Sequence, residues 1–266
     1  MALYDSIGKD YSKTRRADPR IASKLIELLN LPSGATVLDV GAGTGKYARV
    51  LADHGLKVIA LEPSEVMRSQ ATPHPGVHFV PACAENIPLP ASSADGTIVI
   101  LALHHFRGRV EALREIMRVT GAGPMVFLTF DPPAFGRFWL SDYFPDLGRK
   151  FAGSVSLDEI VSEIQQLAPG RKVSTVSFPL PRDLQDKFGA ASWGHPEAYL
   201  DEEVRNGISD FALMSPIEVQ SGLQRLGDDL ASGQWDEAHG HLRMFEAHEV
   251  GYYFIVIESD ASIARD

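Results

Sequence analysis

The sequence predicts an α/β fold in which a mostly parallel, doubly wound sheet is covered by helices on both faces. Apolar runs and amphipathic segments alternate over residues 18–130, which is typical of this fold class. The apolar run 36–40 leads directly into the glycine-rich turn Gly41-Ala42-Gly43-Thr44-Gly45. The next apolar run closes on an acidic residue, Glu62. A strand, a glycine turn, a helix and a second strand that ends in a carboxylate form the nucleotide half of a doubly wound sheet.

The first half of the chain contains the elements of this alternation in order. Asp18 and Pro19 are a helix cap and the favoured first-turn proline, and Ile21 and Leu25 recur at helical spacing. The run 96–103 is apolar almost throughout, which indicates a strand buried on both faces of a parallel sheet. We predict helices over 18–31, 44–54, 63–72 and 109–119, and strands over 36–40, 57–62, 77–80, 96–103 and 125–130.

The second half departs from this alternation. Residues 156–159 form a capping box that starts a helix, and residues 172–178 alternate like a sixth strand. A long interruption follows from residue 179 to about residue 249, in which residues 215–218 form another capping box before a helix. We predict the last strand at 251–257.

The composition limits the partners and the compartment. The 266 residues carry a formal net charge of -10, which argues against a DNA or RNA partner. The single cysteine, Cys83, excludes an intramolecular disulfide and a thiolate metal cluster. The first residues lack the basic and apolar regions of a signal peptide, and no apolar run reaches membrane-spanning length. We therefore expect a cytoplasmic protein without a nucleic-acid or membrane partner.

The spacing of the glycines distinguishes between nucleotide ligands. Dinucleotide sites use G-x-G-x-x-G, whereas this chain has G-x-G-x-G with an acid, Asp39, already in the strand. The segment 36–45 resembles the first motif of the class I S-adenosylmethionine-dependent methyltransferases. The resemblance covers residues 1–131 and returns weakly at the last strand. It is nearest to the ubiquinone/menaquinone-biosynthesis-like and small-molecule methyltransferases.

The resemblance also implies how the second half is organised. In that family the sixth and seventh strands form an antiparallel hairpin at the end of a Rossmann-like, seven-stranded sheet. Residues 1–178 together with 250–260 would form this cofactor-binding domain. Residues 179–249 would be a helical cap, inserted between the last two strands, that recognises the substrate. A tail that lies on the outer surface is the alternative for this insertion.

The cofactor implied by the resemblance is S-adenosyl-L-methionine. Glu62 ends the second strand, where ligands of open sheets bind and where a carboxylate can accept both ribose hydroxyls. The resemblance places Met67 on the adenine, with a plain core methionine as the alternative, and Ala84 and Glu85 at the adenine edge. The expected cofactor-binding residues are Tyr11, Arg15, Asp39, Gly41, Gly43, Gly45, Glu62, Pro63, Met67, Ala84, Glu85 and Leu101.

The resemblance assigns the amino-acid end of the cofactor to two other segments. The backbone around Leu101, at the end of the fourth strand, would receive it. Tyr11 would cover the sulfonium, and Arg15, one helical turn further on, would meet the cofactor carboxylate. A partly disordered N-terminal arm is the alternative.

Methyl transfer from a sulfonium is an in-line displacement that needs little beyond proximity and desolvation. A general base helps only when the acceptor must lose a proton. His104 and His105 follow the fourth strand and Asp131 follows the fifth, so these three are the candidate catalytic residues. The histidines have the alternative of shaping the cofactor pocket, and Asp131 that of capping a loop. We expect no metal, because Asp131 lacks nearby acidic partners in the sequence.

The acceptor is expected to contact the segments that depart most from the common core. The candidates are clustered aromatic residues, which suit an apolar or planar acceptor but are equally consistent with a small core of the cap. They are Phe138, Trp139, Tyr143 and Trp193.

The sequence thus predicts a methyltransferase that acts on a small organic molecule. Two alternatives remain open, namely an enzyme that uses the same cofactor for a cyclisation or elimination, and a non-catalytic regulatory protein that binds it. The acceptor, the methylated atom and the oligomeric state are not determined by the sequence, because one scaffold serves many acceptors.

Overall fold

The computed structural model describes residues 4–8 and 11–260, so residues 1–3 and 9–10 of the predicted sheet domain lie outside the described part. Within the described part there are nine strands. They are β1 (Thr36–Val40), β2 (Lys57–Leu61), β3 (Val77–Val80), β4 (Gly96–Ile100), β5 (Met125–Phe130), β6 (Val173–Ser177), β7 (Leu180–Pro181), β8 (Ala247–His248) and β9 (Tyr252–Ile257).

Seven of these strands form one sheet in the order β3-β2-β1-β4-β5-β9-β6. The first five are parallel, and β9 lies antiparallel between β5 and β6. This confirms the predicted fold class with its antiparallel C-terminal strand. Because the chain runs outward in one direction from β1 and in the other from β4, the order reverses between these two strands. Open α/β sheets bind their ligands outside the carboxyl ends of the strands at such a point.

Helices cover both faces of the sheet and build the insertions. They are α1 (Tyr4–Ile7), α2 (Tyr11–Thr14), α3 (Pro19–Leu29), α4 (Lys46–Asp53), α5 (Glu65–Ser69), α6 (Arg109–Thr120), α7 (Pro132–Phe135), α8 (Leu140–Tyr143), α9 (Pro145–Ala152), α10 (Leu157–Leu167), α11 (Glu202–Asn206), α12 (Ser209–Leu213), α13 (Pro216–Ser232) and α14 (Gln234–His239). Short 3-10 turns occur at Leu103–His105, Pro196–Leu200 and Gly240–Met244. In the described part, no helix is long and apolar enough to cross a membrane.

The core consists of two apolar layers, one on each face of the sheet. Helices α3 and α4 pack on one face, and α6 and α10 pack on the other. All six residues of β5 are buried, as expected for a central strand covered on both sides. The capping signals of the helices are realised where the sequence placed them. Asp18 accepts a hydrogen bond from the backbone N–H of Arg20 at the start of α3, and Pro19 occupies the first turn.

The fourth strand is shorter than predicted, because β4 ends at Ile100. Leu101 has a φ of 52°, a left-handed conformation that is sterically uncommon for a residue with a Cβ and that cannot continue a strand. Its N–H donates to the carbonyl of Leu128 at 2.8 Å, which holds it against β5. A 3-10 turn over Leu103–His105 follows. The chain therefore turns directly at the carboxyl end of the sheet.

One of the two predicted capping boxes is complete and the other is half formed. Ser156 and Glu159 exchange both bonds at the start of α10. At the start of α13, Ser215 accepts from the N–H of Glu218, but the Glu218 carboxylate accepts from the N–H of Asp146 instead of returning to Ser215. Because Asp146 lies in the first turn of α9, Glu218 connects the helices that follow β5 to those of the insertion.

The insertion between β6 and β9 packs on helices that the sequence left unassigned. Helix α8, which follows β5, contacts α13 of the insertion. The Trp139 and Trp235 rings lie 5.3 Å apart between these segments. The two-residue strands β7 and β8 pair at the base of the insertion. Residues 132–152 and 179–249 thus form one layer over the sheet, while the division of the chain into two domains stays a prediction.

The complete capping box should contribute measurably to stability. We expect Ser156→Ala to lower the free energy of unfolding by about 1 kcal/mol, since it leaves helical N–H groups of α10 without their acceptor. Ser162→Ala on the exposed face of the same helix is the matched control and should be neutral. Urea unfolding followed by circular dichroism measures both. Equal effects of the two substitutions would contradict this role of Ser156.

Candidate active site

The glycine turn forms the floor of the candidate site. Gly41, Gly43 and Gly45 have φ values of 73°, 60° and 71°, which glycine adopts without steric cost. A Cβ on Gly41 would lie 2.5 Å from the Cβ of Ala102. The N–H groups of Gly41 and Ala42 donate to the carbonyl of Leu61. The turn is therefore fixed to the end of β2, and its backbone lies close to its neighbours where no side chain would fit.

Glu62 follows β2 and holds the glycine turn with its carboxylate. One oxygen accepts from the N–H of Gly43 at 3.0 Å and the other from the N–H of Ser64 at 2.8 Å. Burial raises the pKa of Glu62 above its ordinary value, while these two N–H groups oppose the rise. Each carboxylate oxygen can accept more than one hydrogen bond. Glu62 can therefore hold the turn and accept a ligand hydroxyl at the same time.

A cavity of about 440 Å³ opens beside the turn at the carboxyl ends of the strands. Its volume falls within the range of about 300–1,000 Å³ that is usual for small-ligand sites. The structure brings most of the expected cofactor-binding residues together on its walls. These are Tyr11, Gly41, Gly43, Glu62, Pro63, Met67, Ala84, Glu85 and Leu101.

The remaining three expected cofactor residues do not line this cavity. Asp39 is buried within β1, where burial first and then Glu62 raise its pKa to about 7. Gly45 lies at the start of α4, where a Cβ would come within 2.6 Å of the Phe79 ring. Arg15 is turned towards the insertion, where its Nε donates to Asp186 at 2.6 Å.

Glu85 has a partner in the chain itself. Its Oε1 accepts from the N–H of Arg107 at 2.7 Å and from that of Gly108 at 3.3 Å. Since this loop leads into α6, the carboxylate links the segment after β3 to the segment after β4. Ala84 beside it is buried. The two residues form one side wall of the cavity.

A second, smaller pocket of about 40 Å³ adjoins the cavity. Tyr4, Tyr11, Leu101 and His105 line both spaces, so the two are neighbours with common walls. The other walls come from the sheet and from the insertion. They are Arg15, His104, Phe130, Phe135, Phe188, Gly189, Ile208, Ser209, Asp210 and Tyr252.

Both histidines that follow β4 face this smaller pocket, with ring centroids 3.9 Å apart. Nε2 of His105 lies within hydrogen-bond distance of the Tyr4 hydroxyl, at 3.0 Å. Burial lowers the pKa of His105 to about 4, although Asp210 opposes this. Burial first and His105 second lower the pKa of His104 well below its ordinary value. His104 also keeps a solvent-exposed surface. Both imidazoles are therefore neutral at pH 7.

Asp131 is placed away from both cavities, which favours its alternative as a capping residue. It lies between β5 and α7, and its Oδ1 accepts from the N–H of Leu157 at 3.0 Å. Leu157 is the first residue of α10, so this carboxylate satisfies an N–H of the first helical turn. The carboxylate is therefore engaged outside the pocket that the histidines face.

The four aromatic candidates for acceptor contact lie in the packed layer of the insertion, so the packing favours the alternative of a cap core. Trp193 is fully buried, and its Nε1 donates to the carbonyl of Leu180. Trp139 donates in turn to the carbonyl of Trp193. The hydroxyl of Tyr143 donates to Asp229. Phe138 packs against the ring of Trp139. The aromatic residues that do face the smaller pocket are Tyr4, Tyr11, Phe130, Phe135, Phe188 and Tyr252.

Sequence reasoning missed Asp186, a fully buried acid in the insertion. It accepts from Arg15 and Lys46, both at 2.6 Å, and from the Tyr47 hydroxyl at 3.1 Å. Burial alone would raise the pKa of Asp186, but Arg15 and then Lys46 hold it below its ordinary value. Asp186 lies in irregular structure without a motif around it. Its neighbours Gln185 and Lys187 are polar, so nothing in the sequence signals that this acid is buried.

Metal-ligating side chains are not clustered at the site. Across residues 4–8 and 11–260 there is no group of three or more histidine, cysteine, aspartate or glutamate side chains that could hold a metal ion.

Comparison with known proteins identifies the family. Residues 38–128 match the family model of a methyltransferase domain. A demethylmenaquinone methyltransferase of Renibacterium salmoninarum is 29% identical over 144 residues, which are 52% of this chain and 61% of that protein. A tRNA (carboxymethyluridine(34)-5-O)-methyltransferase of Arabidopsis thaliana is 32% identical over 139 residues, which are 48% of this chain and 31% of that protein. The chain therefore spans less than two thirds of the length of these two relatives.

A solved structure matches nearly the whole chain. It is described as a putative methyltransferase from an antibiotic biosynthesis pathway of Anabaena variabilis. Its sequence is 45% identical to this chain, and the two superpose with a TM-score of 0.88 over 92% of this chain and 98% of that one. The match includes the insertion as well as the sheet.

The neutrality of His105 makes stability depend on pH. Its pKa is about 4 in the folded protein and about 6.5 in an unfolded chain. Between these values the unfolded chain binds a proton that the folded protein does not, so this histidine reduces stability as the pH falls from about 6.5 towards 4. We expect His105→Gln to remove a loss of about 2 kcal/mol between pH 7.5 and pH 5.

Urea unfolding of the native protein and His105→Gln at pH 7.5 and pH 5 measures the loss of stability in each. Subtracting one loss from the other removes the contribution of the titrating groups that both proteins share. His54→Gln, at an exposed position, is the control and should retain the native pH dependence. The interpretation is wrong if His105→Gln and the native protein lose equal stability on acidification.

Proposed function

This chain belongs to the class I S-adenosylmethionine-dependent methyltransferases, and we propose that it methylates a small organic molecule bound where the larger cavity adjoins the smaller pocket. The observation that carries the proposal is the lining that the two spaces share. Tyr11 and Leu101 line both, and the insertion adds Phe188 and Ile208 to the smaller pocket. The smaller pocket, at about 40 Å³, has room for only one edge of an acceptor, which suits a small molecule better than a folded RNA or a protein.

The residues of the larger cavity fit the cofactor. A glycine turn that leaves no room for a Cβ lets a ligand approach the backbone closely. We propose that Glu62 accepts the ribose hydroxyls, that Met67 packs on the adenine and that Ala84 and Glu85 meet the adenine edge. Glu85 would do so while it holds the loop before α6. When bound, S-adenosylmethionine supplies a methyl group activated by the sulfonium.

The common walls of the two spaces define where the transfer would occur. Tyr11 and Leu101 line both the cavity and the smaller pocket, so we propose that they surround the reacting end of the cofactor. Leu101 presents its backbone there because its left-handed conformation turns the chain at the end of β4. Tyr11 and the buried aromatic rings exclude water from this point. Alignment and desolvation would then provide most of the rate acceleration.

The smaller pocket has the chemistry of a site for a neutral, partly planar acceptor. Six aromatic rings line it, and its two histidines are uncharged at pH 7. Its charged residues are already paired, Arg15 with Asp186 and Asp210 with Lys150. A buried imidazole with a low pKa is a weak base. We therefore propose that His104 and His105 orient the acceptor by hydrogen bonds, and that they take a proton only from an acidic acceptor.

The relatives leave the acceptor class open, because one is named for a quinone and one for a tRNA. The charge of the chain supports the smaller acceptor, since a net charge of -10 repels a polyanion. Cyclisation or elimination chemistry and a purely regulatory role remain the alternatives. Each predicts that S-adenosylhomocysteine is not formed.

The acceptor class can be tested by following S-adenosylhomocysteine with mass spectrometry. The protein is incubated with S-adenosylmethionine and either a panel of small hydroxylated aromatics, quinones and amines or total tRNA. We expect S-adenosylhomocysteine from at least one planar small molecule and only background from tRNA. Formation with tRNA alone would reject the small-molecule proposal. The absence of product in both arms, with the cofactor bound, would favour one of the alternatives.

The role of Glu62 can be tested by cofactor binding. We expect Glu62→Gln to raise the dissociation constant for S-adenosylmethionine about 10- to 100-fold, because hydrogen bonds to a charged group are worth about 1.5–3 kcal/mol. Glu65→Gln, an exposed position three residues further on, is the matched control and should bind as the native protein does. Isothermal titration calorimetry measures both. Native affinity in Glu62→Gln would place the ribose elsewhere.

A further inference from the structure

An N-terminal arm, comprising the described residues 4–8 and 11–15, forms one wall of the cofactor cavity. Tyr4, Asp5 and Tyr11 of this arm line the cavity. The arm contains two helices of four residues each, and helices of this length are not stable by themselves in water. Contacts with the rest of the chain must therefore hold the arm in place over the cavity.

One end of the arm is docked on α5. The Ser64 hydroxyl donates to Asp5 at 2.7 Å, and the side-chain amide of Gln70 donates to the carbonyl of Gly8 at 2.7 Å. Ser64 and Gln70 cap the two ends of α5. This end of the arm is therefore tied to the same helix that carries Met67.

The other end of the arm is held by the insertion, and a buried carboxylate is the centre of this contact. Asp186 Oδ1 accepts from Nε of Arg15 and from Nζ of Lys46, both at 2.6 Å. Its Oδ2 accepts from the hydroxyl of Tyr47 at 3.1 Å. Lys46 and Tyr47 begin α4, directly after Gly45. One side chain thus connects the arm, the insertion and the glycine turn.

Backbone contacts align the arm with the insertion around this carboxylate. Arg15 and Asp186 form an isolated β-bridge, and the N–H of Lys187 donates to the carbonyl of Thr14 at 3.2 Å. The Arg15 guanidinium also donates to the carbonyl of Gly207 at 3.0 Å. Arg15 therefore contacts two separate segments of the insertion.

The position of Arg15 determines the position of a cavity wall. Its guanidinium carbon lies 4.6 Å from the centroid of the Tyr11 ring, within the range of a cation–π contact. Tyr11 lines both the cofactor cavity and the smaller pocket. A change at Asp186 is thus transmitted to both spaces by two direct contacts, although Asp186 itself lines neither.

The charges make this arrangement depend on Asp186. Arg15 and Lys46 are both largely buried and both bind the same carboxylate oxygen. Without the negative charge, the buried Arg15 guanidinium would lose its counter-ion, which is strongly unfavourable. Lys46 can lose its proton instead, because burial first and then Arg15 lower its pKa to about 7. The arm can return the Arg15 charge to water by moving outward, because its helices are only one turn long.

We propose that Asp186 is a positioning residue that closes the N-terminal arm over the bound cofactor, so that release of the cofactor requires the Arg15–Asp186 pair to separate. The proposal rests on the cofactor position argued above. It predicts that Asp186 controls how fast the cofactor product leaves, although Asp186 itself lines neither the cavity nor the smaller pocket.

The test compares Asp186→Asn with Asp183→Asn in the full chain. Asp183 lies on the same segment but is 84% exposed, which makes it the matched control. We expect labelled S-adenosylhomocysteine to leave Asp186→Asn at least about tenfold faster after dilution, since one buried charge has lost its partner. Asp183→Asn should release it at the native rate. Asp186→Glu retains the negative charge and should release S-adenosylhomocysteine more slowly than Asp186→Asn does.

Limited digestion with trypsin provides a readout that a purely structural role would not change. Bound S-adenosylhomocysteine should slow cleavage after Arg15 and Arg16 in the native protein but not in Asp186→Asn. Arg15→Gln removes the same pair from the side of the arm. Arg15→Gln should accelerate the release of S-adenosylhomocysteine to a similar extent. If Asp186→Asn does not fold, the release rate of Arg15→Gln tests the proposal by itself.

Failure of this proposal can be distinguished from failure of the proposed function. Release at the native rate from both Asp186→Asn and Arg15→Gln, with the thermal stability lowered or not, would overturn this proposal and leave the proposed function intact. If the native protein binds neither S-adenosylmethionine nor S-adenosylhomocysteine, the proposed function is rejected and the role of Asp186 with it.

Discussion

The structure depends on the neutralisation of charge in a buried space between the sheet and its insertion. Asp186 is fully buried and carries the hydrogen bonds of Arg15, Lys46 and Tyr47. Nearby, the buried Asp18 accepts from the N–H of Gln185 while it caps α3. These two acids connect segments of the chain that no regular secondary structure joins. The arm, the glycine turn and the insertion keep their relative positions because separating them would leave buried charges without their partners.

The cofactor side of the site has the opposite electrostatic character. Asp39 and Glu62 lie near each other in surroundings that raise both pKa values, chiefly by burial. With a pKa of about 7, Asp39 carries only part of a negative charge at pH 7, so Glu62 is the acid that presents a carboxylate on the cavity wall. A carboxylate there disfavours a pyrophosphate and agrees with a sulfonium cofactor. The smaller pocket is nearly neutral, with uncharged histidines and paired ions. The larger cavity and the smaller pocket thus differ in charge although they share walls.

The sequence predicted those features that depend on interactions between residues close together in the chain. The glycine turn, the Asp18 cap and the capping box at Ser156 follow from backbone sterics and from hydrogen bonds within a few residues. The cavity walls formed by residues such as Glu62 followed from their place at strand ends. The prediction was less successful where a distant partner competes, as when Glu218 caps α9 instead of its own helix. It also extended β4 past Leu101, because apolar character does not reveal a left-handed φ.

By itself the sequence determined the α/β architecture and the glycine turn, because periodicity and steric constraints act on adjacent residues. The class of cofactor followed from the resemblance of the glycine turn to the first methyltransferase motif. The tertiary structure decided the rest. It engaged Arg15 with Asp186, 171 positions away, instead of with the cofactor cavity. It buried Trp139 and Trp193 in the layer of the insertion and brought Phe188 and Tyr252 to the pocket. Aromatic and charged side chains have the same local signature in a core as in a site, so only their long-range contacts distinguish the two.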